Sequence, residues 1–355
     1  MLTKDKFRGC LIGQCVGDAL GMPVERRSPA DCQRYLEVIS RGEVEAHPHF
    51  PFGQYTDGSQ LARELMISFI TCGGFDAEGY ARRIAKVYER NLIVGSSRVG
   101  RKVAQRLLAG VSWREAGTPT PYARNGSAMR AAPIGLFFHQ DPRQLIQAAW
   151  EQSWITHQDP RSAAGAVAIA GAVAISLEDK PIDPQMFLHQ LSSWVREVDS
   201  SVADIVAALT NLVSLPLEAA HSCIAPVGEP PESLKDWEGI SPWVVPSILW
   251  SLYSFLRSPN DYQSIIQTAI AGGGDTDTTA AIAGAIGGAH LGLQAIPQAI
   301  ARQLTDQGLW GYESLLTTAD LAFHFSQVGQ MIEKEDLRAW GNQKSELIQE
   351  LKQSL

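Results

Sequence analysis

Residues 278–293 read TTAAIAGAIGGAHLGL, and residues 162–177 read SAAGAVAIAGAVAISL. Both are built almost wholly of Ala, Gly, Ile and Val. A helix that is apolar all round belongs in a core, where small residues let neighbouring backbones come close. Glycine costs about 1 kcal/mol relative to alanine inside a helix, so the glycines of these two runs require a packing reason. Both segments are read as central helices of an all-α protein.

The same reading extends along the chain. Leu61, Leu65 and Phe69 share a face with Ala62, Met66 and Ile70, the repeat of a packed helix starting near Leu61. Strand-like alternation is scarce. Loops rich in Gly and Pro separate the helical stretches: Gly73-Gly74, Gly117 to Pro121, Asp159-Pro160 and Gly272 to Gly274. With 355 residues, 45% of them hydrophobic and 19% charged, the chain can bury a sizeable core. No linker divides it. One domain is expected over residues 1–325, followed by an amphipathic helical tail over 326–355. Ile332, Leu337, Trp340, Leu347 and Leu351 of that tail would dock on the body or on a second subunit, in a monomer or homodimer. The segment His221–Pro242, with its Pro-Pro pair, reads as a surface excursion.

Composition narrows the function. The formal charge is −8 and no run of Lys and Arg occurs, which argues against a nucleic-acid partner. Five cysteines, odd in number and without paired spacing, read as buried reduced thiols rather than a zinc site. The longest apolar runs fall short of a membrane span, and the start does not read as a signal peptide. A cytoplasmic protein without membrane association is expected.

Chemistry concentrates in three places. Gly272-Gly273-Gly274-Asp275-Thr276-Asp277-Thr278 brings two carboxylates and a hydroxyl to the start of a core helix. In an extended approach, residues two apart face one side, so Asp275 and Asp277 converge and Thr278 follows. Such hard oxygen donors suit Mg²⁺ or Mn²⁺; helix capping is the competing account. Gln54-Tyr55-Thr56-Asp57-Gly58-Ser59-Gln60 repeats the pattern. In GCLIGQCVGDALGMPVE (residues 9–25), glycines recur every four residues and line one helix face, with Asp18 and Glu25 at or just beyond its end.

These segments, together with RNGSAMRAAPIGLF and THQDPRSAAGAVAIAGAVA, resemble the ADP-ribosylglycohydrolase family, which includes the hydrolase that reactivates ADP-ribosylated dinitrogenase reductase. The motifs occur in family order from about Phe7 to Ala322. The resemblance implies a single-domain ADP-ribosylglycohydrolase-like orthogonal helical bundle with two Mg²⁺ or Mn²⁺ ions at the base of a cleft. It implies Thr56, Asp57, Asp275, Asp277 and Thr278 as metal ligands, with Asp277 bridging. Glu25 matches a glutamate assigned gating or catalytic roles, and Glu25 or Asp57 would take a proton from water. Asn125, Gly126 and Ser127 match the loop that holds ADP-ribose through backbone amides near the diphosphate. Tyr122 would stack on adenine, His157 lie by the ribose, and Gly273 and Gly274 face the substrate. Arg130 is read as a structural ion-pair partner.

One departure stands out. The family's usual run is Thr-Asp-Asp-Thr or close to it, and here Gly58 replaces the second acid: water would fill the vacancy, one of the two ion sites would weaken, or the protein would bind without turnover. The implied activity is hydrolysis of an ADP-ribosyl glycosidic bond, releasing ADP-ribose from a modified protein or small molecule. A catalytically impaired ADP-ribose-binding or crystallin-like protein is the alternative, and a metal-dependent phosphohydrolase a third reading.

Overall fold

The computed structural model describes residues 2–41, 47, 49–95, 97–178, 180–228 and 237–331. Its helices are α1 (Lys4–Gly21), α2 (Pro29–Ser40), α3 (Asp57–Cys72), α4 (Ala77–Glu89), α5 (Arg98–Leu108) and α6 (Trp113–Ala116). After them come α7 (Ala132–Phe138), α8 (Pro142–Trp154), α9 (Pro160–Ser176), α10 (Pro184–Arg196), α11 (Ser200–Ala208) and α12 (Leu217–Ile224). The last are α13 (Val244–Arg257), α14 (Tyr262–Ala271), α15 (Thr276–Leu291), α16 (Gln298–Ala301) and α17 (Tyr312–Met331). The only paired strands among the described residues are two residues each, Thr118–Pro119 parallel to His157–Gln158. The protein is all-α, as its composition predicts.

The glycine stripe of α1 explains how the core closes. A Cβ placed on Gly9, Gly13, Gly17 or Gly21 would lie 2.2, 2.4, 2.0 or 2.3 Å from the carbonyl oxygen of Gly288, Gly284, Ala280 or Thr276, respectively. The partners step by four residues on both helices and in opposite directions. Helices α1 and α15 therefore pack antiparallel, backbone against backbone, at a separation that no larger side chain permits. This seam sets the C-terminal end of α1 beside the N-terminal start of α15, which is where Glu25 and Asp277 have to meet. Helix α9 forms the second central element. Ala163 to Val173 are buried throughout, and α7, α8, α10 and α15 pack around it.

Several expectations change in detail. Helix α3 begins at Asp57, not near Leu61, and is buried along nearly its whole length. Its Arg63 and Glu64 are drawn inside because Asp306 and Arg83 meet them at 2.8 and 2.7 Å. Cys10, Cys15 and Cys32 are buried, whereas Cys72 and Cys223 are exposed. Of the expected surface excursion 221–242, residues 229–236 lie outside the described residues, and both ends of the rest pack on the body. His221 Nε2 lies 3.0 Å from the Gly272 carbonyl oxygen, and Ile240 is fully buried against Gly274. Helix α17 runs across residue 326, and residues 332–355 of the expected tail lie outside the described residues. No described helix is long and apolar enough to cross a membrane.

Candidate active site

Where Asp stands before a helix elsewhere in the fold, its side chain caps that helix. Asp76, Asp141, Asp159 and Asp261 each accept a backbone N–H from the first turn of their helix, as capping geometry favours. Thr56 and Asp275 hold the same position at the starts of α3 and α15, yet neither side chain caps its helix. Asp275 instead lines a cavity of about 360 Å³ with Glu25, Asp57, Asp277 and Thr278, and the Thr56 hydroxyl turns to Asp277. Capping does not account for these residues.

The acidic trio is tight. One carboxylate oxygen each from Glu25, Asp275 and Asp277 lies within 4.8 Å of the others. Thr56 Oγ1 sits 3.4 Å from Asp277 Oδ2, and Asp57 and Asp277, more than two hundred positions apart, line one pocket. Asp275 and Asp277 are 5% and 6% exposed. Their convergence has a different origin from the extended approach inferred from spacing. The helix already starts at Thr276, so Asp277 stands in its first turn and Asp275 immediately before it.

Electrostatics follow from that crowding. The charge of Asp277, then burial, pushes the Glu25 carboxyl up to about 8. Burial, then the charges of Asp277, Asp18 and Glu25, raises Asp57 well above the usual carboxylate range. Burial also raises Asp275, with Asp277 adding to the effect, and raises Asp277 itself. None of the four carboxylates forms an ion pair among the described residues; the charges of Arg26 and Arg130 act on Glu25 and Asp57 but leave both raised, so a bound cation would relieve the remaining repulsion. An all-oxygen donor set of this charge fits a hard divalent ion.

The surrounding shell holds these groups in place. Asn125 Nδ2 donates to Asp275 Oδ2 at 2.6 Å and to Ser247 Oγ at 2.8 Å. Asp18 accepts from Thr56 N at 2.9 Å, Ser59 N at 3.1 Å and Ser59 Oγ at 2.5 Å. It thereby ties the Thr56-Asp57 turn to the end of α1. The Glu25-Arg26 turn is fastened to the glycine loop: Arg26 N donates to the Gly274 carbonyl at 2.7 Å, and Gly274 N donates to the Arg27 carbonyl at 2.9 Å. Arg26 adopts φ 64° to do so, a left-handed conformation costing a non-glycine residue roughly 1–2 kcal/mol.

The predicted residues are distributed unevenly around this centre. Glu25, Asp57, Tyr122, Asn125, Gly126, His157, Asp275, Asp277 and Thr278 line the cavity. Thr56 is buried and does not line it. Ser127 is fully buried and donates to the Ser162 carbonyl at 3.1 Å. Gly273 and Gly274 pack against Pro29 and Ile240 and do not line the cavity. His157 is held neutral, burial lowering its pKa to about 3, and its Nδ1 lies 2.8 Å from Thr156 Oγ1. Its ring explains Gly126, where a Cβ would come within 2.8 Å of Cε1. Arg130 makes no ion pair among the described residues; it donates to Gln152 Oε1, the Gln152 carbonyl and Thr156 Oγ1 at 2.8–2.9 Å. Sequence alone gives Arg124 no role and marks Asp18 only as a residue at the end of the glycine run. A carboxylate within an otherwise small and apolar helix face was the available sign for Asp18.

The family model for ADP-ribosylglycohydrolase matches residues 1–331. The chain belongs to that family. Among its relatives, an uncharacterized protein of Archaeoglobus fulgidus is 30% identical over 289 residues, covering 81% of this chain and 88% of that one. The ADP-ribosylhydrolase ARH3 of Bos taurus is 28% identical over 341 residues, covering 87% and 89%. The ADP-ribosylarginine hydrolase Tri1 of Serratia proteamaculans is 24% identical over 310 residues, covering 85% and 76%. A solved structure titled ADP-ribosylglycohydrolase-related protein complex superposes with a TM-score of 0.65 at 22% identity, covering 91% of this chain and 98% of that one. Family membership and the fold likeness thus agree with the motif order read from sequence, and they make glycohydrolase chemistry the activity class.

Proposed function

We propose that the protein hydrolyses an ADP-ribosyl glycosidic bond with Mg²⁺ or Mn²⁺ held by Thr56, Asp57, Asp275, Asp277 and Thr278, together with Glu25. The observation that carries this reading is the uncapped pair of helix starts, whose oxygen donors converge with Glu25 on one cavity. A divalent ion bound there supplies electrophilic pull on sugar hydroxyls and orients water. Asp275 is kept in position by Asn125, and the Thr56-Asp57 turn by Asp18. Glu25 is the exposed member of the trio, so it is the carboxylate best placed to take a proton from the attacking water; Asp57 is the second candidate. Water's hydroxyl joins the anomeric carbon as the bond to the leaving group breaks, and the proton passes to that group. Positive charge developing on the ring is stabilised by the flanking carboxylates. Neutral His157 offers a hydrogen bond and no charge.

The test is release of ADP-ribose from an ADP-ribosylated peptide in the presence of Mg²⁺ or Mn²⁺. Release abolished by chelator and by Asp277→Asn supports the reading; wild-type release by Asp277→Asn overturns it. Gly58 favours one second reading, binding without turnover. Thermal stabilisation by ADP-ribose with no release from any modified peptide would support that instead; ligand at about 100 times its dissociation constant adds roughly 2.7 kcal/mol.

A further inference from the structure

Helix α5 carries a charge pattern that its own stability does not explain. Residues 90–114 hold Arg90, Arg98, Arg101, Lys102, Arg106 and Arg114 with no Asp or Glu, in a chain whose formal charge is −8. All six are exposed. Arg98 opens the helix, and no acid stands in the first turn to offset it, although a helix N-terminus repels cations. Arg98 and Lys102, four residues apart, add a like-charge pair, and neither forms an ion pair among the described residues. Beside this face runs a groove of about 290 Å³ between α4 and α5. Arg101, Ala104, Gln105 and Leu108, spaced for one face of α5, form one wall; Tyr88 and Ile93 lie on the other, with Glu89 the one acid. Tyr88 also lines the active-site cavity, so groove and cavity share a wall. Its hydroxyl is seated where Gly100 has no side chain: a Cβ there would lie 2.3 Å from Tyr88 Oη. Burial, and then the charge of Asp57, raises the Tyr88 phenol. Tyr88 therefore borders the carboxylate end of the cavity.

We propose that the α4–α5 groove and the basic face of α5 receive the polypeptide that carries the ADP-ribosyl group, and prefer acidic residues beside the modified position. The inference rests on the activity proposed above for the identity of the modification, and adds the chemistry of its carrier. In that activity the leaving group departs at the carboxylate end, and Tyr88 is the wall this end shares with the groove. The chain flanking the modified residue would run from the cavity along α5, its carboxylates toward Arg98, Arg101 and Lys102. An apolar side chain would meet Ile93 and Leu108, the latter 46% exposed. A nucleic acid fits less well, because it would run past this patch onto a chain that is otherwise strongly acidic. Charges at the rim of an interface act mainly on encounter and on the choice of partner.

Steady-state release of ADP-ribose by the full chain with Mg²⁺ tests this. The substrates are ADP-ribosylated peptides alike except for Glu, Gln or Lys on either side of the modified residue, and the ADP-ribosylated amino acid alone. Arg98→Gln with Lys102→Gln gives a neutral variant; Arg98→Glu with Lys102→Glu gives a reversed one. Wild type should favour the Glu peptide through KM. The neutral variant should raise that KM roughly 3- to 30-fold, with kcat and the rate on the amino acid unchanged. Added salt should shrink the preference, and the reversed variant should turn it toward the Lys peptide. Tm of the neutral variant should hold or rise, since a like-charge pair and a basic helix start are removed. Equal KM for the Glu and Gln peptides in wild type overturns the proposal, as does a preference that neither variant changes. An equal loss on the amino acid alone overturns it too. Release from the amino acid without any preference among the peptides would defeat this inference and leave the proposed activity standing. If no substrate releases ADP-ribose, that activity fails, and anisotropy of a dye-labelled, unmodified Glu peptide decides the docking surface. Binding to wild type that the neutral variant loses upholds the surface; equal binding to both, or none to wild type, overturns it.

Discussion

Gly17→Ala probes the seam on which the site depends. The added methyl would sit 2.0 Å from the Ala280 carbonyl oxygen and 2.6 Å from its carbon, where contact distances of roughly 3.5 Å are comfortable. Both partners are helix backbone, so no side-chain rotation relieves the clash, and α1 and α15 must separate by about 1 Å or more. Overpacking of this kind costs about 1–3 kcal/mol, and a backbone obstacle places it at the upper end. Replacing a helical glycine returns up to about 1 kcal/mol, for a net loss of roughly 2 kcal/mol. At about 2 °C per kcal/mol for a chain of this size, Tm should fall by around 4 °C or more. Because Asp18 adjoins Gly17 and holds Thr56 N and Ser59, divalent-ion affinity should drop as well, by about tenfold or more. Gly287→Ala is the control. Its Cβ would meet only the tip of Ile265, Cδ1 at 2.8 Å, which can rotate away, so Tm should hold or rise. Thermal melts and calorimetric titration with Mg²⁺ or Mn²⁺ read both quantities. If Gly17→Ala melted within about 1 °C of wild type and bound ions equally well, the backbone-contact account of this seam would be refuted.

Other consequences follow from the same geometry. Without divalent ions, thermal stability should fall as pH rises from about 4 toward 8. Glu25 and Asp18, pushed up to about 8 and about 7, bind protons more tightly folded than unfolded, so their stabilising protonation is lost on the way up. Added Mg²⁺ should remove most of that slope, and melts across the pH range with and without the ion will show whether it does. Ser59→Ala removes the 2.5 Å bond to Asp18, worth roughly 1.5–3 kcal/mol for a charged acceptor; a melt unchanged from wild type would contradict it. Gly58→Asp has room, since its Cβ would lie 3.5 Å or more from Met129 and 3.7 Å from Asp18 Oδ2. It should lower Tm of the metal-free protein by adding a like charge beside Asp18, and Mn²⁺ should reduce the deficit; titration calorimetry counts the ions bound.

Much of the architecture can be read from residue types alone. Ala- and Gly-rich runs at 162–177 and 278–293 can only be buried helices, and five motifs in family order identify the family, because both signals are local and survive without coordinates. The acidic loops were legible for the same reason: hydroxyls and carboxylates next to glycine at a helix start form a short-range pattern. The exact start of α15 was not, since extended and helical approaches both bring Asp275 and Asp277 together.

What only the tertiary structure decided is which distant groups meet. The stripe of Gly9, Gly13, Gly17 and Gly21 announces a close neighbour, but nothing in its spacing says that the neighbour is α15, some 260 residues away. That pairing sets Glu25 beside Asp277 and lets Asp18 reach Thr56. It also follows from packing, not from spacing, that Arg124 is stacked on Trp243, with its Nε buried and no hydrogen-bond partner for it among the described residues. Helical periodicity records which face of a segment is buried. The partner on that face is chosen by the shapes of both surfaces at once, and for that the folded chain is required.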